Sequence, residues 1–286
     1  MKFIFYIKFF IYIIFSIFQL YSYAKDANSS FPCSKTYNIA LSNHNIIYNP
    51  ETNTGLDKDF IDALQKVTKC RFNFQTLPRE RIWYSLKKGD IDFSSSVIPY
   101  PERKEFAFFA SYFFSKNLVI VRKNTLVKSM DDFIKNKEFV FGDHLGRKYG
   151  NAKIDKFIAD LKLKNRVETS TSDKSLEGKL RHNRIQGYVI NNLIAKYNMT
   201  IWDKNFKNDI EIQDWTPTDR GFLVSIGFSK VNITAEEFKY WQKAINRLLT
   251  EGTAKKIYLK YFKTISKLDE ETLEKLRAET ENINDL

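Results

Sequence analysis

The architecture of this chain can be inferred from two stretches, GLDKDFIDAL at residues 55–64 and LPRERIWYSLKKGDIDFSSSVIPYPERKEFAFFASYFFSKNLVIVRK at residues 77–123. In the first, apolar residues recur every three or four positions and acidic residues crowd the start, a pattern typical of an amphipathic helix. In the second, Arg79 to Lys88 predicts a short helix that Gly89 stops. Ile91 to Ser94 then predicts a buried strand.

Strands and helices alternate outward from these two stretches. Tyr37 to Leu41 alternates apolar and polar residues as a strand does, and Phe72 and Phe74 mark another strand. Short loops between alternating elements favour a mostly parallel sheet covered by helices. After a strand at Leu118 to Arg122 the pattern starts again, with strands at Phe139 to Phe141, near residue 167 and at 187–190. The duplication predicts an α/β protein of two lobes with a cleft where small polar ligands bind.

The carboxyl-terminal part adds one strand and two helices to this pattern. Phe222 to Phe228 predicts the strand, and Thr234 to Glu237 is a capping box that opens a helix. Gly252 ends that helix, and Ala254 to Phe262 predicts one more. The acidic stretch at 269–281 predicts a peripheral surface helix.

The composition excludes a disordered chain and favours a basic folded protein. Hydrophobic residues make up 43%, and the chain of 286 residues contains 25 Phe, 15 Tyr and 4 Trp, enough apolar surface to offset the entropy of ordering. The formal net charge is +12 at neutral pH. A basic body favours anionic ligands, nucleic acid or acidic membranes, but a lysine-rich composition alone would give the same charge.

The amino terminus reads as a cleaved secretion signal. Lys2 is followed by an apolar run from Phe9 to Phe18 and by small residues at Ser22 and Ala24, so we expect cleavage after Ala24 and export to the periplasm. The alternative is an uncleaved membrane anchor, which Lys8 within the apolar stretch disfavours. No later segment resembles a spanning helix.

The two cysteines, Cys33 and Cys70, fit the interpretation that the chain is exported. An even count in a protein bound for an oxidising compartment predicts a disulfide.

Motifs of the common catalytic classes are missing. The sequence contains no Gly-x-Ser-x-Gly elbow, no Walker loop and no Gly-x-Gly-x-x-Gly fingerprint. His44, His144 and His182 lie far apart along the chain, which gives a metal site weak support. We therefore expect no catalytic residues, no metal and no cofactor.

The stretch from Gly55 to Lys123 resembles the extracellular solute-binding proteins of family 3. The matching elements occur in order: a Gly-x-Asp-x-Asp helix start at Gly55, Leu-Pro-x-x-Arg at Leu77, Leu-x-x-Gly-x-x-Asp at Leu86, and Pro-Glu-Arg at Pro101 before an aromatic run. The resemblance continues more weakly over nearly all the mature chain. It implies a type II periplasmic-binding-protein fold, with lobe 1 formed by residues 25–115 and 222–286 and lobe 2 by residues 116–221.

The resemblance also implies a set of ligand contacts. In the family an arginine at the position of Arg103 clamps the ligand's carboxylate, because a guanidinium fork matches two carboxylate oxygens; the alternative is a surface ion pair with Glu102 or Glu105. Ser95 and Ser96 end the preceding strand, where the family presents polar groups to the ligand, although they equally suit an ordinary strand end. The full set of predicted ligand-binding residues is Ser42, His44, Tyr48, Arg79, Arg81, Ser95, Ser96, Tyr100, Arg103, Arg147, Lys148 and Asn191.

Departures from the family's pattern point to an anionic ligand. Arg79 stands where an aromatic platform is usual, and Ser42 and Asn191 stand where acidic residues often bind cationic groups. Arg147 and Lys148 add positive charge at the glycine turn that opens a helix; each alone would equally be a solvated residue, and their joint placement is what suggests a ligand role. Each of these changes weakens affinity for a cation.

These features predict a binding protein for a small, polar, carboxylate-bearing ligand, which acts as a monomer, does not bind nucleic acid, and delivers its ligand to the membrane subunits of an ABC importer. One alternative is an enzyme on the same scaffold, as in related dehydratases, for which Glu80 and Asp143 are the candidate acid or base. Another is a sensory module whose closure a second protein reads. An importer gene beside this one would favour the first interpretation, and turnover of a bound ligand would favour the enzyme.

Overall fold

Two five-stranded sheets organise the chain. The structure is a computed structural model and describes Cys33 and residues 35–262. Its strands are β1 (Thr36–Leu41), β2 (Arg71–Thr76), β3 (Phe93–Val97), β4 (Ala107–Ser115), β5 (Asn117–Arg122), β6 (Phe141–His144), β7 (Val167–Ser170), β8 (Gly187–Asn191), β9 (Ile210–Gln213) and β10 (Phe222–Ser229).

The two sheets share one topology. The first has the strand order β2-β1-β3-β10-β4 and the second the order β7-β6-β8-β5-β9. In each sheet three neighbouring strands run parallel, the fourth runs antiparallel to the third, and the fifth pairs antiparallel with the fourth. The predicted duplication and the two-lobed α/β fold are therefore confirmed, although the sheets are mixed rather than mostly parallel.

Helices follow most of the strands and cover the sheets. They are α1 (Leu56–Thr68), α2 (Arg79–Lys88), α3 (Pro101–Lys104), α4 (Met130–Lys135), α5 (Ala152–Leu163), α6 (Asp173–Arg181), α7 (Asn192–Ile201), α8 (Lys204–Asp209), α9 (Ala235–Thr250) and α10 (Thr253–Tyr261). A short 3₁₀ turn occupies Lys123–Thr125. None of the helices in the described residues is both long enough and apolar enough to cross a membrane.

Each sheet has its own aromatic core. In the first sheet Trp241 of α9 lies 5.0 Å from Tyr37 and 5.1 Å from Phe93, measured between ring centroids. In the second, Phe141 lies 5.2 Å from Phe133 and 5.1 Å from Phe157 in edge-on contacts. Aromatic pairs at these separations are favourable beyond their burial, so each sheet has the means to hold its own helices.

Local sequence signals located several elements well. Gly89 adopts a φ of 81° at the end of α2, as the predicted helix stop requires. The Thr234 hydroxyl accepts a hydrogen bond from the backbone N–H of Glu237, which confirms the cap of α9. The strand predicted at Ile91 to Ser94 lies two residues later, and β4 and β9 were not predicted as strands.

The cysteine prediction is confirmed, and the terminal predictions lie beyond the described residues. Cys33 and Cys70 are both disulfide-bonded, and neither is a free thiol. The predicted signal peptide at residues 1–24 and the acidic stretch at 269–281 lie outside the described part of the chain.

Candidate functional site

A cavity lies between elements of the two sheets. Its empty volume is about 720 Å³, a figure that includes solvent at its mouth. The residues that line it are His44, Ile47, Asp57, Arg79, Trp83, Ser96, Ile98, Arg103, Phe113, Phe114, Ser115, Gly146, Arg147, Lys148, Asn191, Leu193, Ile194, Phe222 and Val224. Seven of the twelve residues predicted to bind ligand are among them: His44, Arg79, Ser96, Arg103, Arg147, Lys148 and Asn191.

Arg103 is held by stacking and by one backbone contact. Its guanidinium lies 3.7 Å from the centroid of the Trp83 ring and 5.0 Å from that of Tyr100, and its Nη1 donates a hydrogen bond of 3.1 Å to the carbonyl of Ile98. The residue is buried, yet Arg103 forms no ion pair within the described residues. Glu102, the partner offered by the surface interpretation, pairs instead with Lys148. The remaining donors of Arg103 are free to bind an anion.

Arg79 occupies the first turn of α2, one turn before Trp83. Its Nη1 lies 3.5 Å from the carbonyl oxygen of Ser95, a long contact, and the described part of the chain offers it no ion pair. Burial, followed by the repulsion of Arg147, lowers its pKa to about 10, so Arg79 remains charged at neutral pH. A positive charge with so few fixed partners favours an anion in the cavity.

Asp57 opens α1 and is the one carboxylate in the cavity lining. Its oxygens accept hydrogen bonds of 2.6 Å from the Ser95 hydroxyl and 2.5 Å from the Tyr112 hydroxyl. Burial raises the pKa of Asp57, and these hydrogen bonds oppose the rise. The same tyrosine oxygen accepts a hydrogen bond from the backbone of Ser96, which holds a left-handed φ of 53° at the end of β3. Asp57 thus braces the strand end that faces the cavity.

Much of the rest of the first-sheet lining is apolar. Trp83 is joined by Phe113 and Phe114 of β4 and by Phe222 and Val224 of β10. An apolar wall with a few polar groups is typical of small-ligand sites, because burial supplies affinity and the polar groups fix orientation.

The second-sheet side contributes the turn after β6. Gly146 has a φ of +71°, and a Cβ placed there would lie 2.2 Å from Cγ of Glu80, so only glycine permits this close approach of the turn to α2. Next in the chain, Arg147 Nη1 lies 3.9 Å from a carboxylate oxygen of Asp173. Lys148 forms an exposed ion pair with Glu102. Both cations of this turn therefore have acidic partners, unlike Arg79 and Arg103.

Asn191 ends β8 and caps α7. Its Oδ1 accepts a hydrogen bond of 2.8 Å from the backbone N–H of Leu193, and its Nδ2 donates to the hydroxyl of Ser115. Ser115 in turn donates to Asn192. The side chain lines the cavity with its polar groups already partnered.

Several contacts join the two sides of the cleft. His44, after β1, lies 3.2 Å from Asp173 at the start of α6, measured from Nδ1 to Oδ2. Asn45 donates a 2.7 Å hydrogen bond to Asn198 of α7. The structure thus holds the cleft in a closed arrangement.

Histidines that are far apart in sequence meet at one end of this cleft. The ring centroids of His44 and His144 are 4.8 Å apart, whereas His182 lies on the surface after α6. Burial lowers the pKa of His144 to about 3 and lowers that of His44 as well, so both rings are neutral at neutral pH.

Five predicted ligand residues lie outside the cavity lining. Ser42 is buried after β1, and Ser95 is turned toward Asp57. Tyr48 lies 3.5 Å from Asn53, measured between the hydroxyl and Oδ1.

The other two have partners elsewhere. Tyr100 donates a 2.7 Å hydrogen bond to Asp155 and accepts one from the backbone of Gly150. Arg81 is exposed and lies over the ring of Tyr84. Arg79 and Trp83 are four residues apart and take the cavity face of α2, whereas Arg81, two residues from each, lies on another face.

The two residues suggested for acid or base chemistry also lie outside the lining. Glu80 is exposed and packs against Gly146. Asp143 is buried, accepts a hydrogen bond from Tyr149 and pairs with Lys162 at 2.7 Å.

Sequence reasoning missed Asp57, Trp83 and Asp173 as cleft residues. Asp57 looked like an acidic residue at a helix start, and Trp83 lay unremarked inside the motif that matched the family. Trp83 lies one helical turn after Arg79, which puts both on one face of α2, but no spacing indicated that Asp57 or Asp173 would lie in the cleft. Only the packing of α2 against α3 puts the Trp83 ring under the Arg103 guanidinium.

Comparison with known proteins agrees with this geometry. The model of the bacterial extracellular solute-binding proteins, family 3, matches residues 40–264. A Bacillus subtilis (strain 168) protein named "Probable amino-acid-binding protein YxeM" is 26% identical over 216 residues, covering 73% of this chain and 76% of that protein.

Solved structures share the fold at low identity. An ancestral arginine-binding protein bound to arginine has a TM-score of 0.66 at 21% identity, covering 80% of this chain and 99% of its own. The arginine-, lysine-, histidine-binding protein ArtJ from Geobacillus stearothermophilus has a TM-score of 0.68 at 17% identity, covering 82% and 99%. The family match spans most of the sequence and both sheets, and the chain therefore belongs to the bacterial extracellular solute-binding proteins, family 3.

Proposed function

We propose that this protein captures a small carboxylate-bearing solute, an organic acid or an amino acid that is anionic overall, in the cavity between its two sheets. The observation that carries the proposal is the pair Arg79 and Arg103, whose guanidinium groups line the cavity without an ion pair in the described residues. Guanidinium groups bind carboxylates through paired, charge-assisted hydrogen bonds.

The charge of the lining supports an anionic ligand. Arg147 and Lys148 face acidic partners at Asp173 and Glu102, so their positive charge is largely balanced. Arg79 and Arg103 then face a single lining carboxylate, that of Asp57. The surplus of positive charge in a partly buried cleft penalises a cation and strengthens capture of an anion.

The polar groups available for an ammonium are few. Asn191 Oδ1 already accepts a hydrogen bond from Leu193, and the Ser115 hydroxyl is bonded on both sides. Asp57 is the one lining carboxylate, and its oxygens receive two hydrogen bonds already. A simple basic amino acid would therefore bury an ammonium with little compensation, whereas a dicarboxylic amino acid would offset that cost at the arginines.

The apolar wall limits the shape of the ligand. Phe113, Phe114 and Phe222 favour a solute with an apolar body behind its carboxylate. Export to the periplasm and delivery to the membrane subunits of an ABC importer belong to the same proposal; their support is the family, whose members are extracellular, and the relatives named as amino-acid-binding proteins. The two sheets likewise support lobe boundaries near residues 115 and 222.

A thermal-shift panel followed by calorimetry tests the proposal. The panel contains acidic, neutral and basic amino acids, mono- and dicarboxylic acids and phosphorylated metabolites, and mass spectrometry identifies what co-purifies with the gently isolated protein. We expect stabilisation by carboxylates with surplus negative charge. Stabilisation by lysine, arginine or histidine with none from the acids would contradict the proposal. Consumption of a bound ligand, followed by NMR, would replace the transport function with an enzymatic one.

A further inference from the structure

Two histidines and one aspartate converge at one end of the cleft. His44 follows β1 of the first sheet, whereas His144 ends β6 of the second sheet and Asp173 opens α6. All three side chains are buried, with exposed fractions of 6%, 3% and 5%. One ligand atom from each lies within 4.8 Å of the others.

The separation of two of the three donor atoms suits a metal ion, and the three lie within 4.8 Å of one another. Nδ1 of His44 lies 3.2 Å from Oδ2 of Asp173. Tetrahedral zinc with bonds of about 2.1 Å places neighbouring ligand atoms about 3.4 Å apart. With the proton of the neutral His44 ring on Nε2 instead of Nδ1, an ion can take the place between Nδ1 and the Asp173 oxygen with little movement of either side chain.

His144 supplies the third donor. Its Nε2 is buried and has no hydrogen-bond partner in the described part of the chain. Its Nδ1 lies 3.4 Å from the carbonyl oxygen of Leu145. A proton on Nδ1 leaves the lone pair on Nε2, the arrangement that metal-binding histidines usually adopt. A buried, unpartnered ring nitrogen is unfavourable in the absence of a ligand.

Arg147 borders the cluster and contacts its carboxylate from the other side. Its Nη1 lies 3.9 Å from Oδ1 of Asp173, and neither atom has a hydrogen-bond partner in the described residues. The guanidinium adds positive charge, but it faces Oδ1, while Oδ2 faces His44. Oδ2 can thus bind the ion while Oδ1 stays with Arg147, as in carboxylates that bind a metal through one oxygen and are held by a neighbouring side chain through the other.

We infer that His44, His144 and Asp173 form a binding site for one divalent transition-metal ion of the zinc class, which links the two sides of the cleft. Two imidazoles and one carboxylate suit zinc and its neighbours rather than calcium or magnesium. Three protein ligands leave a coordination position open. Because His44 also lines the cavity, the ion lies at the edge of the solute site.

Zinc titration of the full chain, tag-free and treated with chelator, tests the site. Calorimetry with zinc chloride in a non-coordinating buffer, without any solute, is expected to show one equivalent bound and a raised melting temperature. Cobalt is expected to give the visible absorption of a low-symmetry site with nitrogen ligands. H44A, H144A and D173N should each weaken zinc binding at least about tenfold.

H182A is the matched control, because His182 is the third histidine and lies on the surface away from the cluster. It should bind zinc as the unmodified protein does. Circular dichroism in chelator checks that each variant folds, and H144Q replaces H144A if the alanine variant does not. Absence of zinc binding, or zinc binding that survives H44A and H144A, would overturn the inference. The solute panel plays no part here, so failure of either proposal leaves the other standing.

Discussion

The two sheets have the same strand order but very different side chains at the cleft. The first-sheet side carries Arg79 and Arg103 without ion pairs in the described residues, next to an aromatic wall. The second-sheet side carries Arg147 and Lys148, each facing a carboxylate. Shared topology therefore does not bring shared chemistry: the role of an arginine depends on whether the fold puts an acid beside it.

The covalent difference between the sheets leads to the largest expected effect. The only two cysteines are Cys33 and Cys70, and Cys70 directly precedes β2 of the first sheet, so the second sheet has no such crosslink. Replacing both by serine should cost about 4 kcal/mol in the free energy of unfolding, since a closed loop of this length restricts the unfolded chain.

Urea unfolding followed by hydrogen exchange measures this loss and locates it. In the double-serine variant we expect hydrogen exchange to accelerate more in β1 and β2 of the first sheet than in β6 and β7, the matching strands of the second sheet. An unchanged free energy of unfolding, or exchange that accelerates equally in the two sheets, would show that the disulfide does not stabilise the first sheet selectively.

The arginine distinction predicts the next effect, on ligand affinity. R103A removes a buried, charge-assisted contact, so binding of the anion identified by the solute panel should weaken by about 2 to 4 kcal/mol, while the melting temperature of the empty protein barely moves. R81A is the matched control, because Arg81 lies on the same side of the cleft but is exposed and stacks on Tyr84. Calorimetry that gives equal affinities for both variants would show that Arg103 does not bind the ligand.

Much of the first-sheet side could be predicted from the sequence, because its signals are local. Gly89 ended a helix where expected, and the Pro-Glu-Arg motif placed Arg103 at the cavity. For Ser95 the sequence left a ligand contact and an ordinary strand end open, and its hydroxyl donates to Asp57. Side-chain direction at a strand end depends on the element packed beneath it, and no local pattern shows that element.

The second-sheet side was harder to predict because its contacts are long-range. His44 and Asp173 lie 129 residues apart in sequence, and their meeting depends on how the two sheets face each other. Asn191 lines the cavity, but its role as the cap of α7 was not foreseen. An asparagine before a helix fits a cap as well as it fits a ligand contact.

That cap makes N191D a precise way to add negative charge to the second-sheet side of the lining. Aspartate caps a helix as well as asparagine does, so α7 should persist. The new carboxylate would add negative charge to the lining beside the ligand, and affinity for the anion should fall about tenfold while a zwitterionic or cationic analogue gains. N192D is a useful comparison, since Asn192 does not line the cavity. Unaltered selectivity in N191D would show that the charge of the lining does not choose the ligand.

We expect the smallest effect from breaking the ion pair between Lys148 and Glu102. This change tests whether the cations of the second-sheet side contribute to anion binding. Both side chains are about half exposed, so water and salt screen their attraction, and exposed pairs of this kind contribute at most about 1 kcal/mol. The pairing lowers the pKa of Glu102, chiefly through the hydrogen bond from Lys148. Any stability gained from the pair is therefore present at neutral pH and lost as the pH falls through the pKa of Glu102.

K148A should change anion affinity by less than R103A does, and E102Q should release Lys148 and strengthen anion binding slightly at low salt. If K148A instead weakened anion binding as much as R103A does, measured by calorimetry at two salt concentrations, the second-sheet turn would contribute equally to ligand affinity. The two sides would then differ in the partners of their cations and not in their contribution to binding.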